Sequence, residues 1–130
     1  MLFFGHRFID SENFYHIPNI DAIKNTPPSS TIYVEFSEDN LDIIKHAIKN
    51  SVNIAVEVID ITQVVYASAL GVSFIIVSKK LAKTAQNLAE NYLFDAKILV
   101  YIEDEDEIEE LAILGVDGII CSNAIIKINS

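Results

Sequence analysis

Leu70–Ser78 reads LGVSFIIVS, and Leu114–Ser122 reads LGVDGIICS, 44 positions further on. Extended leftward, Asn53–Ser78 aligns with Lys97–Ser122 without a gap. Nine of the 26 positions are identical: Ile54/Ile98, Val56/Val100, Asp60/Asp104, Leu70/Leu114, Gly71/Gly115, Val72/Val116, Ile75/Ile119, Ile76/Ile120 and Ser78/Ser122. Each copy is an apolar run (NIAVEV, KILVYI), an acidic residue, a helical stretch, Leu-Gly-Val and a second apolar run. In physical terms the order is strand, helix, glycine stop, strand.

The helix ends are marked chemically. Asp60 suits an N-cap, with Gln63 three residues on as in a capping box, and Asp104 with Glu107 repeats the arrangement. Gly71 and Gly115 fall where a left-handed residue closes a helix. An earlier unit keeps the same rhythm. Thr31–Phe36 (TIYVEF) reads as a strand and Ser37 as a cap. A helix follows from Glu38 to about Asn50, with Leu41, Ile44 and Ile48 on one face. Another helix is expected from Lys79 to Tyr92, capped by Ser78, with Leu81, Ala85, Leu88 and Tyr92 in register. Strands therefore begin near residues 31, 53, 72, 97 and 116, a unit of roughly 20 to 24 residues.

Alternating strands and helices imply an α/β fold whose parallel strands are joined by right-handed crossovers. The expectation is one domain over residues 1–130, built on a parallel sheet of about five strands. Two closures fit. One is an open, flavodoxin-like sheet with helices on both faces; the other is a half-barrel with helices on one face only. The duplication points to barrel-like curvature, and a half-barrel with apolar open edges implies a homodimer. Residues 1–30 are less regular. LFFGHRFI fits a further strand at an edge, where antiparallel pairing is one option. Asn19–Asn25 fits a helical turn, and Thr26–Ser30 a loop.

The chain has 130 residues, half of them hydrophobic, which is enough for a core without covalent staples. Its apolar runs are too short for a membrane span of about 20 residues. The N-terminal stretch lacks the features of a secretory signal. With a single cysteine, Cys121, no internal disulfide framework is possible, which fits a cytoplasmic protein. The net charge of −10 disfavours nucleic acid and anionic membranes as partners.

The segment AKILVYIEDEDEIEELAILGVDGIICSN, Ala96–Asn123, resembles the last part of the glycerophosphodiester phosphodiesterases, which belong to the phosphate-binding barrels. In that family a strand and an acidic helix precede Gly-Val-Asp-Gly-Ile-Ile, which stands here as Gly115–Ile120. The stretch SALGVSFIIVSKKL is similar to the strand-six region of aldolases of that wider class. The resemblance implies a barrel-derived fold. The family's other motifs depart: His6-Arg7 is followed by Phe8 rather than glycine, Glu12-Asn13 lacks the preceding proline, and His16 and His46 stand in a different context.

Ligands of parallel α/β proteins bind beyond the carboxyl ends of the strands. Two sets of residues fall there. Glu35, Glu57 and Glu103 are candidate oxygen ligands for Mg²⁺ or Ca²⁺. Ser78, Lys79, Ser122 and Asn123, at strand-to-helix junctions, together with His6 and Arg7, are candidates for an anion site. Asp60, Asp104 and Ser78 are also explained by capping alone. Arg7 is expected to pair with a carboxylate, and Cys121 to be buried and inert. Glu103–Glu110 holds seven acidic residues in eight, which reads as a solvated face, with a surface for a basic protein partner as the alternative. No zinc spacing, glycine-rich nucleotide loop or nucleophile elbow occurs. The sequence therefore points to a small, soluble, non-catalytic α/β protein that self-associates, with a partner- or anion-binding role. The alternative is a metal-dependent phosphodiesterase-like or aldolase-like enzyme.

Overall fold

The computed structural model describes residues 1–129. Among them eight parallel strands form one sheet. They are β1 (Leu2–Phe4), β2 (Phe14–His16), β3 (Thr31–Glu35), β4 (Ile54–Glu57), β5 (Phe74–Val77), β6 (Lys97–Ile102), β7 (Gly118–Cys121) and β8 (Ile125–Lys127). The order across the sheet is β1-β7-β6-β5-β4-β3-β2-β8. Four α-helices connect the longer strands: α1 (Leu41–Lys49), α2 (Ile61–Leu70), α3 (Lys79–Asn91) and α4 (Ile108–Leu114). None is long and apolar enough to cross a membrane. The five expected strands are β3 to β7. β1 falls within LFFGHRFI, the further edge strand expected; β2 and β8 are additional, three residues each and too short to show a period.

The helices decide between the two closures. Ile44 and Ala47 of α1, Val64 and Ala67 of α2, Ala82 and Ala85 of α3, and Leu111 of α4 share one cluster with Ile32, Val34, Ile54, Val56, Ile75, Val77, Ile98, Val100 and Ile119. Those strand residues all point to a single face. The opposite face buries Phe4, Phe14, Tyr33, Ala55, Ile76, Leu99 and Ile120, one from each of β1 to β7, with Ala124. No residue of α1 to α4 joins that layer, so the sheet covers its inner face by curling on itself. The rings of Phe4 and Phe14 lie 4.8 Å apart, and those of Phe14 and Phe74 5.2 Å. A flat sheet would put β1 and β2 about 29 Å apart, six strand spacings. The architecture is a strongly curled half-barrel. Among the described residues no ladder joins β1 to β8, so the sheet stays open there.

The two repeats superimpose in register. Val56 pairs with Ile75, and Val100 with Ile119, an offset of 19 residues in both copies. Gly71 and Gly115 end their helices with φ of 94° and 86°. Asp60 accepts from the Gln63 backbone N–H, and Gln63 reaches back to the N–H of Ile59. Ser73 and Asp117 are equivalent: the Ser73 hydroxyl accepts from the Ile54 N–H, and the Asp117 carboxylate from the Ile98 N–H. The other expected caps differ: Ser37 and Ser78 make no side-chain capping bond. Asp104 accepts from the Asp106 N–H, because a 3₁₀ turn over Glu105–Glu107 precedes α4.

Gly118 explains how β1 joins. A Cβ there would lie 2.7 Å from Leu2 Cβ and 2.8 Å from the Leu2 carbonyl oxygen. Its absence lets Leu2 pair directly opposite Gly118, parallel rather than antiparallel. The chain then turns at Gly5 (φ 85°), which packs against Asn123 and Ala124 just before β8. α3 is also rotated from expectation. Ala82, Ala85, Gln86 and Ala89 are buried, whereas Tyr92 is exposed. Small side chains let the helix approach the sheet closely, so alanines won the core face over larger residues.

Candidate functional site

The carboxyl ends of the strands gather two groups of side chains. The first sits on β2, β3 and β4. Glu35 and Glu57 are register partners on adjacent strands, so two carboxylates stand side by side. Tyr33, two residues before Glu35, points to the same face and is buried. His16 lies edge-on to the Tyr33 ring at 4.9 Å, and its Nε2 is 3.9 Å from Glu35 Oε1. The Tyr33 phenol is pushed well above its ordinary range. Burial is the main cause, followed by hydrogen bonding with Glu57 and the charges of Glu57 and Glu35. Tyr33 therefore stays a neutral hydroxyl at the centre of this group.

The second group surrounds a cavity of about 210 Å³ at the ends of β6 and β7, with Tyr101, Glu103, Asp104, Glu105, Cys121 and Ser122 in its wall. Glu105 Oε1 lies 2.8 Å from His6 Nε2 and also accepts from the Arg7 guanidinium. His6 Nδ1 accepts from the Phe8 backbone N–H at 3.1 Å. That contact fixes the proton of neutral His6 on Nε2, and both ring nitrogens are engaged. Arg7 also covers the Phe8 ring at 4.4 Å, a cation–π contact. The segment after β1 is thus clasped onto the end of β6. Burial, and then the Glu105 charge, push the Cys121 thiol above its usual range.

The candidate anion residues are divided between two places. His6, Arg7 and Ser122 collect at the β6–β7 cavity or on its clasp. Asn123 lies against Gly5. Ser78 begins α3 without a side-chain capping bond, and Lys79 Nζ pairs with Glu110 Oε2 at 2.9 Å. Hydrogen bonding to Glu110 raises the Lys79 pKa. The candidate metal ligands are divided too. Glu35 and Glu57 adjoin, while Glu103 belongs to the cavity two strands away, about 10 Å across the sheet. Among the described residues no three His, Cys, Asp or Glu side chains are grouped to hold a metal ion. A larger hollow of about 360 Å³, lined by Pro27, Ser29, Ser51 and Asn53, lies at the opposite, amino-terminal end of the strands.

Tyr33 and Tyr101 are site residues that the sequence reading passed over, and Glu105 was read only as part of the acidic run Glu103–Glu110. Alternation along TIYVE was the available signal, since Tyr33 and Glu35 must share a face. Asp117, part of the segment that carries the phosphodiesterase resemblance, sits at the amino end of β7. There it accepts from Ile98 and Gln86 and braces the fold. Comparison with protein-family profiles and with curated proteins finds no match.

Proposed function

We propose that this protein is a non-catalytic binding module that self-associates and takes a positively charged protein segment at the acidic mouth between β6 and β7. The observation that carries this reading is the state of the cations around the mouth. His6 and Arg7 already engage Glu105, and Lys79 engages Glu110. Glu103, Asp104, Asp106 and Glu109 are exposed and outside these pairs. A free anion would have to displace Glu105 from two cations in a chain of net charge −10. A basic partner needs no such exchange and is attracted at long range. His6 has no free ring nitrogen to accept a substrate proton. A lone cysteine suits a reducing cytoplasm.

Calorimetry with a short lysine- and arginine-rich peptide tests this reading. Binding is expected that weakens with added salt and with joint Glu103→Gln and Asp106→Asn substitution. Joint neutralisation of Asp39 and Asp42 near α1 is expected to leave it unchanged. Equal loss from both pairs of substitutions would reduce the effect to overall charge. Binding of inorganic phosphate in place of the peptide would overturn the reading.

A second reading is an enzyme of the phosphodiesterase-like or aldolase-like kind, related to the phosphate-binding barrels. Its support is the Glu35–Glu57 pair beside Tyr33 and His16, together with the resemblance of Ala96–Asn123. The donor set fits a divalent ion incompletely. Ca²⁺ takes about six to eight oxygen ligands, and this group offers two carboxylates and a phenol held protonated. Calorimetric binding of Mg²⁺, Mn²⁺ or Ca²⁺ that disappears in Glu35→Gln would favour this second reading over the first.

A further inference from the structure

Arg7 is the only arginine in the chain. It sits on a carboxylate of the acidic mouth, Glu105, 98 residues away in sequence. His6 and Arg7 both meet the same oxygen, Glu105 Oε1, but they are held differently. The His6 side chain is 9% exposed, and its other ring nitrogen is taken by the Phe8 N–H. The Arg7 side chain is 63% exposed, and its guanidinium lies over the Phe8 ring, itself 75% exposed. Residues 7–13 are all exposed. Among the described residues, Arg7 to Glu105 is the one ion pair they make. Their remaining anchors near His6 are local: Gly5 N–H donates to the Ser11 hydroxyl, and Ile9 N–H to the His6 carbonyl. An exposed ion pair contributes little and exchanges readily for another cation. Glu105 also stands in the wall of the cavity between β6 and β7. It is thus a carboxylate of the mouth that the chain fills with a cation of its own.

We propose that Arg7 is an intramolecular stand-in for an arginine of the partner, whose guanidinium takes its place between Glu105 and the Phe8 ring. The proposal rests on the basic-segment reading above and names the residue that the segment presents. Arg7 then turns out into solvent, while Phe8 stays, because its N–H is held by His6. The chemistry selects arginine over lysine. A planar guanidinium can stack on a ring and fork onto a carboxylate at once, whereas an ammonium is a compact point charge. The tethered Arg7 competes at a high effective concentration, so the contact is autoinhibitory. An isolated cation of another protein does not displace it. A segment that also engages Glu103 and Asp106, both exposed and unpaired among the described residues, gains enough to do so.

Calorimetry with two peptides of equal length and charge, one carrying arginines and one lysines, tests the proposal on the wild type and on Arg7→Ala. Arg7→Ala is expected to bind the arginine peptide about two- to fivefold more tightly, the worth of one exposed ion pair. Its gain for the lysine peptide should be smaller. In a Glu105→Gln background, Arg7→Ala should add nothing. An equal gain for both peptides would reduce the effect to net charge and overturn the proposal. Unchanged or weaker binding by Arg7→Ala would mean that Arg7 supports the mouth rather than occupying it, and would overturn it too. Either result spares the acidic mouth as the binding surface, since the peptides still bind. Failure of both peptides to bind either protein would overturn the mouth and the stand-in together.

Discussion

Gln86 and Asp117 are joined twice. The Gln86 Nε2 donates to Asp117 Oδ1 at 3.2 Å, and Gln86 Oε1 accepts from the Asp117 backbone N–H at 3.0 Å. The second carboxylate oxygen accepts from the Ile98 N–H at 2.8 Å. One buried amide on α3 is thereby locked to the starts of β6 and β7. Asp117→Ala leaves Gln86 and the Ile98 N–H without acceptors and should cost about 2–3 kcal/mol in denaturant unfolding. Asp117→Asn should also destabilise, because both oxygens accept and the new amide sets a donor against a donor. In the equivalent copy Ser73→Ala removes a single bond and should cost about 1 kcal/mol.

The glycines of the second repeat separate in the same assay. Gly115→Ala meets nothing within 4 Å, but it strains a left-handed residue and should cost about 1–2 kcal/mol. Gly118→Ala drives a methyl against Leu2 and Leu99, where backbone must move. Its cost of about 1–3 kcal/mol should fall on β1 first. Hydrogen exchange of the amides that pair β1 with β7 would show selective loss of protection in Gly118→Ala and little in Gly115→Ala.

What was legible in the sequence was local. Gly71, Gly115 and Asp60 mark helix ends through their own backbone and side-chain chemistry. The outward Ile and Val of β3 to β7 announce buried strands. Of the three-residue strands only β1 was legible, in LFFGHRFI; β2 and β8 were not, because they exist through pairing with residues distant in the chain. The buried face of α3 was misread because size suggested Leu88 and Tyr92, whereas close approach to the sheet selected alanines. In the site, Glu35, Glu57 and Glu103 were taken as one ligand set; register between strands makes neighbours of only the first two. Tyr33 was not singled out, although alternation along TIYVE puts it on the face of Glu35; its link to Glu57 depends on the pairing of β3 with β4.

Tyr33 sets an alkaline limit. Its folded-state pKa lies above the unfolded value of about 10. Below that pH the phenol is protonated in both states and its contribution is fully present. As pH rises past about 10 the unfolded chain releases the proton while the folded chain retains it, so stability falls with pH. Urea unfolding at increasing pH should show this decline, and Tyr33→Phe should flatten it. Equal slopes in the two proteins would mean that Tyr33 ionises freely in the fold.

Cys121 should react with a disulfide reagent at neutral pH more slowly than a free cysteine, since its raised pKa lowers the thiolate fraction. Glu105→Gln removes one cause of that shift and also loosens the contacts with His6 and Arg7, so labelling should accelerate. An unchanged rate would mean that neither the charge nor the clasp controls access to the thiol.

The most direct test of the curled sheet is nuclear Overhauser contact among three rings. Phe4, Phe14 and Phe74 belong to strands β1, β2 and β5, with centroids 4.8 Å (Phe4–Phe14), 5.7 Å (Phe4–Phe74) and 5.2 Å (Phe14–Phe74) apart. The half-barrel requires cross-peaks between all three. An uncurled sheet would hold Phe4 about 14 Å from Phe74 and about 29 Å from Phe14, and missing cross-peaks would contradict the fold from which the mouth is drawn.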